Sequence, residues 1–384
     1  MVGTVRQPVD LQALESYLAK HIHEIRRPIN VKQFGFGESN PTYLLTDSDG
    51  QRYVLRKRPP GVLLSPTAHR VDREYRVLRA LEQTGVPAPK AYHFCEDETV
   101  LGTAFYIMDF VDGRIYSHPS IPGVEPAERM AMWRSAVETL AKLHLVDFTS
   151  IGLQTLGRSG GFYNRQIKTF TALSESQAKA VDKATGCSIG VVPHLEEMNT
   201  FFADPSRQPP ERSALIHGDY KIDNIVFHRT EPRVIGILDW EMATIGHPLS
   251  DFGNLTQPYA TAQFSTYVGF NEDVPDFMPG ALPGLPAREH CVKWYSDITG
   301  WDPTDELAWG DAFGAFRLAV VMQGIAARHA LGQSGSAKAQ GFGSQRDQNA
   351  AWAYSLVKDL MKDVKKNGGS GFHDRTLIIT QAKL

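Results

Sequence analysis

Residues 217–224 read HGDYKIDN, and residues 237–241 read ILDWE. An apolar triplet, Ala214–Ile216, runs into the first stretch, and the runs Ile225–His228 and Val234–Leu238 join it to the second, so both lie at the ends of short, compact strands. Phosphoryl transfer needs a carboxylate beside the attacking hydroxyl and oxygen ligands for a magnesium ion that bridges phosphates. Asp219, just after a strand, suits the first need. Asn224, five residues on, and Asp239, at the end of the next hairpin, suit the second. A random chain seldom offers HxDxxxxN followed at this interval by a strand-terminal Asp; the competing reading is an acidic turn capped by Asp and Asn. Lys221 could touch a transferred phosphate or simply face solvent.

Toward the N-terminus, Phe105–Val111 reads as a buried strand that ends at Gly113, and Val71–Leu81 as a helix. Arg52–Arg58, Pro41–Thr46 and Val31–Phe34 read as short strands, and Asp47-Ser48-Asp49-Gly50 between apolar runs signals a hairpin. A first helix is expected from Leu11 to about Ile22, capped by Asp10, with Leu11, Leu14, Leu18 and Ile22 on one face. Beyond about Glu125 helical patterns dominate: Pro126–His144, Tyr163–Ala184, and most of the chain after the 237–241 stretch apart from a Pro/Gly-rich loop at Pro275–Pro286. A Pro-rich segment ends at Pro209-Pro210, and the tail from Lys365 contains GGSG, a flexible-linker composition. The fold class is therefore α+β and bilobal. A small β-rich lobe covers 1–112, a mainly helical lobe covers 113–384, and the boundary lies near Asp112-Gly113.

Two further groups bear on phosphate chemistry. In Gly35-Phe36-Gly37-Glu38-Ser39-Asn40 the loop is followed by another strand, where a dinucleotide fold would place a helix. Strand, glycine loop, strand suits a flap whose backbone N–H groups approach phosphate oxygens, and a plain hairpin turn is the alternative. In the second group, alternation puts Val54 and Arg56 on one strand face, and Glu74 borders the apolar stripe of its helix with Val71, Tyr75 and Leu78. A buried Glu74 needs a partner. Arg56 is one choice; Arg73, Arg76 and Arg79 on the same helix are others.

The 384 residues are 42% hydrophobic and 22% charged, with a formal net charge of -3. No general basic field is present for nucleic acid or an anionic membrane. Cys95, Cys187 and Cys291 form no CxxC pair, so neither a disulfide framework nor a zinc cluster is signalled. With cysteines so placed, a reducing cytoplasm is the expected location; the N-terminus has no apolar signal region, and Leu318–Ala327, between Arg317 and Arg328, is too short to span a bilayer. The spacings of His247, His290 and His329 fit no metal site.

Taken in order, FGFGESNPTYLL, YVLRKRPPG, REYRVLRALE, FYIMDFVDG, HGDYKIDN, ILDWE and GHPLSDFGN resemble the aminoglycoside phosphotransferase and choline-kinase superfamily, over roughly residues 25 to 335. YVLRKRPPG with HGDYKIDN and RLAVVMQGIAARHALGQ is closest to the branch also found fused to acyl-CoA dehydrogenases. The resemblance implies a protein-kinase-like fold, ATP and Mg2+ as cofactors, and a small-molecule hydroxyl as acceptor. It implies Asp219 as catalytic base, and Asn224 and Asp239 as metal ligands. It implies Gly35, Gly37, Ser39 and Asn40 as the nucleotide flap, and Arg56 in place of the usual strand lysine, with Glu74 as its partner. Val54 would roof the adenine, Met108 would sit behind it, and the backbone of Asp109 and Val111 would bond its edge.

Eleven residues separate Asp239 from Asp251, which leaves no space for an activation loop and favours a small substrate over a protein. From Asp311 to the end, ten Lys/Arg stand against five Asp/Glu. Together with Arg165 and Lys168, these charges either coat the surface or suit an anionic acceptor, such as a hydroxy acid or hydroxyacyl-CoA, slightly better than a polycationic aminoglycoside. An antibiotic phosphotransferase and a nucleotide-binding pseudokinase are the rival readings.

Overall fold

The computed structural model describes residues 2–3, 9–34, 40–59, 70–183, 185–268, 275–331 and 342–366. In order the elements are β1 (Val2–Gly3), α1 (Leu11–His21), β2 (Asn30–Phe34), β3 (Thr42–Thr46), β4 (Arg52–Lys57), α2 (Val71–Leu81), β5 (Ala91–Cys95), α3 (Glu98–Leu101), β6 (Phe105–Asp109), α4 (Pro126–His144), α5 (Phe162–Ala178), α6 (Leu195–Ala203), β7 (Ala214–Ile216), β8 (Ile225–Phe227), β9 (Val234–Ile237), β10 (Thr244–Gly246), α7 (Leu249–Val268), α8 (Arg288–Thr299), α9 (Thr304–Ala330) and α10 (Phe342–Lys366). Packing divides the chain into two units. The first holds Met1–Val124, Ala131–Leu156 and His217–Thr244; the second holds Glu125–Met130, Gly157–Ile216 and Ile245–Leu384. The division at 112/113 follows chain order, whereas this one follows contact.

In the first unit, an antiparallel sheet runs in the order β1-β2-β3-β4-β6-β5. Alternation gives it two distinct faces. Tyr43, Leu45, Tyr53, Leu55, Phe105 and Ile107 pack with Leu14, Leu18 and Ile22 of the α1 segment into an apolar core. The opposite face carries two rungs, Leu44–Val54–Met108 and Thr42–Arg56–Tyr106. The β3–β4 turn is held by Asp47, whose Oδ1 accepts from the N–H groups of Asp49 (3.0 Å) and Gln51 (2.8 Å). Asp10 caps α1 by accepting from Ala13 N at 2.9 Å. Leu11, expected on the buried face, is 48% exposed, and Tyr17 is buried in that helix instead.

The second unit has an aromatic core. Phe162, Tyr163 and Ile167 of α5 meet Phe201 and Phe202 of α6, Trp309, Phe313 and Phe316 of α9, and Trp352 and Val357 of α10. Helix α5 stops at Ala178, short of the expected Ala184; the returning loop takes the carbonyl of its last residue, Gly190 N to Ala178 O (3.1 Å), and that of Ala180 just beyond it, Ile189 N to Ala180 O (2.9 Å). Lys365 is helical, in α10; residues 367–384, most of the expected loose tail, lie outside the described residues. No helix among the described residues is long and apolar enough to cross a membrane.

Candidate active site

All the described candidate residues fall in the first unit. They start from the Thr42–Arg56–Tyr106 rung. The three arginines of α2 that could have taken Glu74 go elsewhere. Arg73 donates to the carbonyls of Leu156 (2.8 Å) and Ala243 (3.2 Å), Arg76 to Gly152 (2.6 Å), and Arg79 pairs with Glu82. Glu74 faces Arg56, with Nε to Oε2 at 3.1 Å. These two atoms form an ion pair without hydrogen-bond alignment. The other end of the guanidinium reaches the turn after β9, with Nη2 2.7 Å from Asp239 Oδ1 and 3.4 Å from Glu241 Oε2. The same Glu241 oxygen accepts from Asn40 Nδ2 at 3.2 Å.

One guanidinium therefore faces three carboxylates, Glu74, Asp239 and Glu241. Burial pushes the Glu74 carboxyl up to about 7 against the pull of Arg56, and the charges of Asp239 and Glu241 push the same way. Burial alone would lower Arg56, but Glu74, with Tyr106, Asp239 and Glu241, holds it above its ordinary value. The Tyr106 phenol is raised by burial and by Glu74. Such an excess of negative charge is what a divalent cation would balance.

The 217–224 loop is built on a buried histidine. His217 Nε2 lies 2.9 Å from the Leu238 carbonyl, and Asp219 N lies 3.2 Å from His217 Nδ1. A carbonyl only accepts and an amide N–H only donates, so the proton is on Nε2. Gly218 has φ +84°, and a Cβ there would lie 2.6 Å from the Met242 carbonyl oxygen. This accounts for glycine at position 218. Asn224 Nδ2 donates to Asp219 O (2.9 Å) and to Asp219 Oδ2 (3.1 Å), and Leu238 N bonds Asn224 O at 2.8 Å. Asn224 and Asp239 are thereby set on adjacent strand ends. Asp239 is left-handed, φ +65° and ψ 59°, a strained conformation for a non-glycine residue. Lys221 Nζ lies between Asp219 Oδ2 (3.4 Å) and Asp223 Oδ2 (3.3 Å). Burial opposes its charge, and the two carboxylates raise it in spite of that.

Among the described residues no three His, Cys, Asp or Glu side chains form a metal cage. A magnesium site does not require one, because that ion keeps waters and substrate phosphates and takes one or two protein oxygens. The amide oxygen of Asn224 and the carboxylate of Asp239 are hard donors suited to it.

Val54 and Met108 are opposed across β4 and β6, both buried. The Asp109 N–H is bonded to Lys90 O at 2.9 Å, so only the carbonyl of Asp109 could be offered to a ligand. The segment after β6 is pinned from below. Arg114 and Phe227 exchange backbone hydrogen bonds of 2.7 and 2.9 Å, and Asp112 joins Arg52 and Arg229. A Cβ on Gly113 would lie 2.2 Å from the Phe227 carbonyl oxygen. Gly35, Gly37 and Ser39 lie outside the described residues. His217 and Glu241 lie within the HGDYKIDN and ILDWE stretches, and no local pattern marks the contact that either makes.

The sequence pattern of the phosphotransferase enzyme family matches residues 30–275. This chain belongs to that family. It is 38% identical over 332 residues to acyl-CoA dehydrogenase family member 11 of Rattus norvegicus, across 85% of this chain and 40% of that protein. This phosphotransferase thus spans about 40% of the length of that curated relative. A Ralstonia eutropha protein provisionally named an aminoglycoside phosphotransferase aligns with TM-score 0.75 and 35% identity, covering 92% of this chain and 99% of its own. A ternary complex of streptomycin, ATP and an aminoglycoside phosphotransferase aligns with TM-score 0.53 and 16% identity, over 83% of this chain and 91% of its own, a likeness of fold. The α+β, protein-kinase-like fold and the kinship with the acyl-CoA dehydrogenase branch, both expected from the motifs, hold.

Proposed function

We propose that this phosphotransferase moves the γ-phosphate of ATP, with magnesium, to a hydroxyl of a small anionic molecule, a hydroxy acid or hydroxyacyl-CoA. The observation that carries the reading is the pinning of Asp219, Asn224 and Asp239 to one another through His217 and Leu238. In this reading Asp219 accepts the acceptor hydroxyl proton as that oxygen bonds to the γ-phosphorus, the bond from phosphorus to the β–γ bridging oxygen breaks, and ADP leaves with that electron pair. Asn224 holds the Asp219 carboxylate in orientation and, with Asp239, offers the oxygens for magnesium, which when bound neutralises phosphate charge. Lys221, kept charged by Asp219 and Asp223, meets the γ-phosphate. Arg56, anchored by Glu74, meets the other phosphates, with Gly35, Gly37, Ser39 and Asn40 as the flap. Val54 and Met108 enclose adenine beside the backbone of Asp109 and Val111.

Two features support an anionic acceptor: the kinship with an acyl-CoA dehydrogenase family member and the basic excess after Asp311. The 163–168 segment adds little to that support. Tyr163 and Ile167 are core residues, and the Arg165 guanidinium is held by the carbonyls of Gly160 and Arg158. The test is Asp219→Ala. Turnover should fall by about 10²–10⁴-fold while MgADP binding, measured by calorimetry, stays within about threefold. Full turnover in that variant would remove the assigned base. A screen of hydroxylated acids, hydroxyacyl-CoA thioesters and kanamycin-type compounds for magnesium-dependent nucleotide turnover decides the acceptor.

A further inference from the structure

We infer that Glu241 is a positioning residue that keeps Arg56 paired and Asn40 in place while Asp239 serves a metal-bound nucleotide; the inference rests on the kinase reading above. Arg56 Nη2 is shared, 2.7 Å from Asp239 Oδ1 and 3.4 Å from Glu241 Oε2, while its Nε belongs to Glu74. Asp239 cannot give its charge in full to a divalent cation and to Arg56 together. Arg56 is buried, and a buried guanidinium that loses the carboxylate at one end is left with only Glu74 to balance it, at a cost in free energy. Glu241 is the second carboxylate within reach of the same nitrogen. Its Oε2 also accepts from Asn40 Nδ2 at 3.2 Å, so one oxygen joins the residue that closes the 35–40 segment, the central strand and the 239–241 turn. The arrangement also explains why the strand carries arginine. A planar fork presents separate nitrogens to Glu74 on one side and to Asp239 and Glu241 on the other, which a single ammonium cannot do.

The experiment is MgADP and metal-free ADP binding to the full chain by calorimetry, for wild type, Glu241→Gln, Arg56→Gln and the double variant. Glu241→Gln should weaken MgADP binding about tenfold or more and metal-free ADP binding by less than about threefold, because Asp239 is drawn away from Arg56 only when metal is present. In the Arg56→Gln background the second change should add little. An equal loss with and without metal, or no loss, overturns the inference. A metal-dependent loss that persists in full without Arg56 also overturns it, and makes Glu241 a ligand in its own right. Should Glu241→Gln fail to fold, Glu241→Asp keeps the charge but withdraws it by one methylene, and the same metal-dependent loss is expected. Wild-type protein that binds no nucleotide at all removes the kinase reading itself, a result distinct from all of these.

Discussion

Arg56 stands where the family resemblance leads one to expect lysine, and its surroundings require a fork. An ammonium at that position would pair with one carboxylate and leave Glu74, Asp239 or Glu241 poorly compensated. Arg56→Lys should raise KM for ATP roughly tenfold, about 1.4 kcal/mol, with a smaller change in kcat. Steady-state kinetics at saturating acceptor checks this. Gly218 is the second residue with a forced identity. Its φ of +84° and the Met242 carbonyl leave no place for a methyl group. Gly218→Ala should cost about 2–3 kcal/mol in urea unfolding and should lower kcat, because Asp219 follows directly. An unchanged unfolding midpoint would show that the loop relaxes freely.

At the scale of elements, helix α9 places Glu306 in its first turn, where the helix field favours a carboxylate, yet burial raises its carboxyl to about 7. Trp301 Nε1 donates to Oε1 at 3.3 Å, Arg212 opposes the rise, and Asp305 and Asp302 add to it. The unfolded chain loses this proton near the ordinary 4.5 and the folded chain only near 7, so stability falls as pH rises through that window. Glu306→Gln should match wild type near pH 5 and exceed it at pH 8 by on the order of 2 kcal/mol, read from denaturant melts at the two pH values. Strands β3 and β4 are legible from the Asp-Gly hairpin signal between apolar runs, β6 from its continuous apolar run, and helix α2 from its 3.6-residue stripe. Strand β5, Ala91–Cys95, was not, since its three central residues are all half-buried and show no alternation. Helix α6 is short and lies between Pro193 and Pro205, in a stretch whose composition signals turns. The reading of 105–111 as strand ran past Asp109, where the ladder with β4 ends. Of the candidate site, the proximity of Asp219, Asn224 and Asp239 is legible because they lie close in sequence, at the ends of adjacent short strands. Glu241 could not be linked to Asn40, 201 residues away, by any local pattern.

At the scale of the whole molecule, the unit that holds the site is assembled from three separated stretches of chain, and Gly157–Ile216 between the last two belongs to the other unit. A chain that stops at Ile216 lacks Asp219, Asn224, Asp239 and Glu241, and should show no ADP-dependent rise in Tm, whereas the full chain should gain several degrees at saturating MgADP. A thermal scan of both checks this; a nucleotide response in the shortened chain would place the binding determinants on β1 to α4 alone. The same interruption bears on how the protein is made. Arg56 and Glu74 leave the ribosome early, but Asp239 and Glu241 emerge some 165 residues after Glu74. Until then the nascent sheet displays an incompletely matched cation and a half-built floor, the kind of exposed intermediate that chaperones bind. Slow translation across 157–216 should prolong that interval, and a gene recoded with rare codons there should give less native protein per chain made, as measured by the soluble fraction.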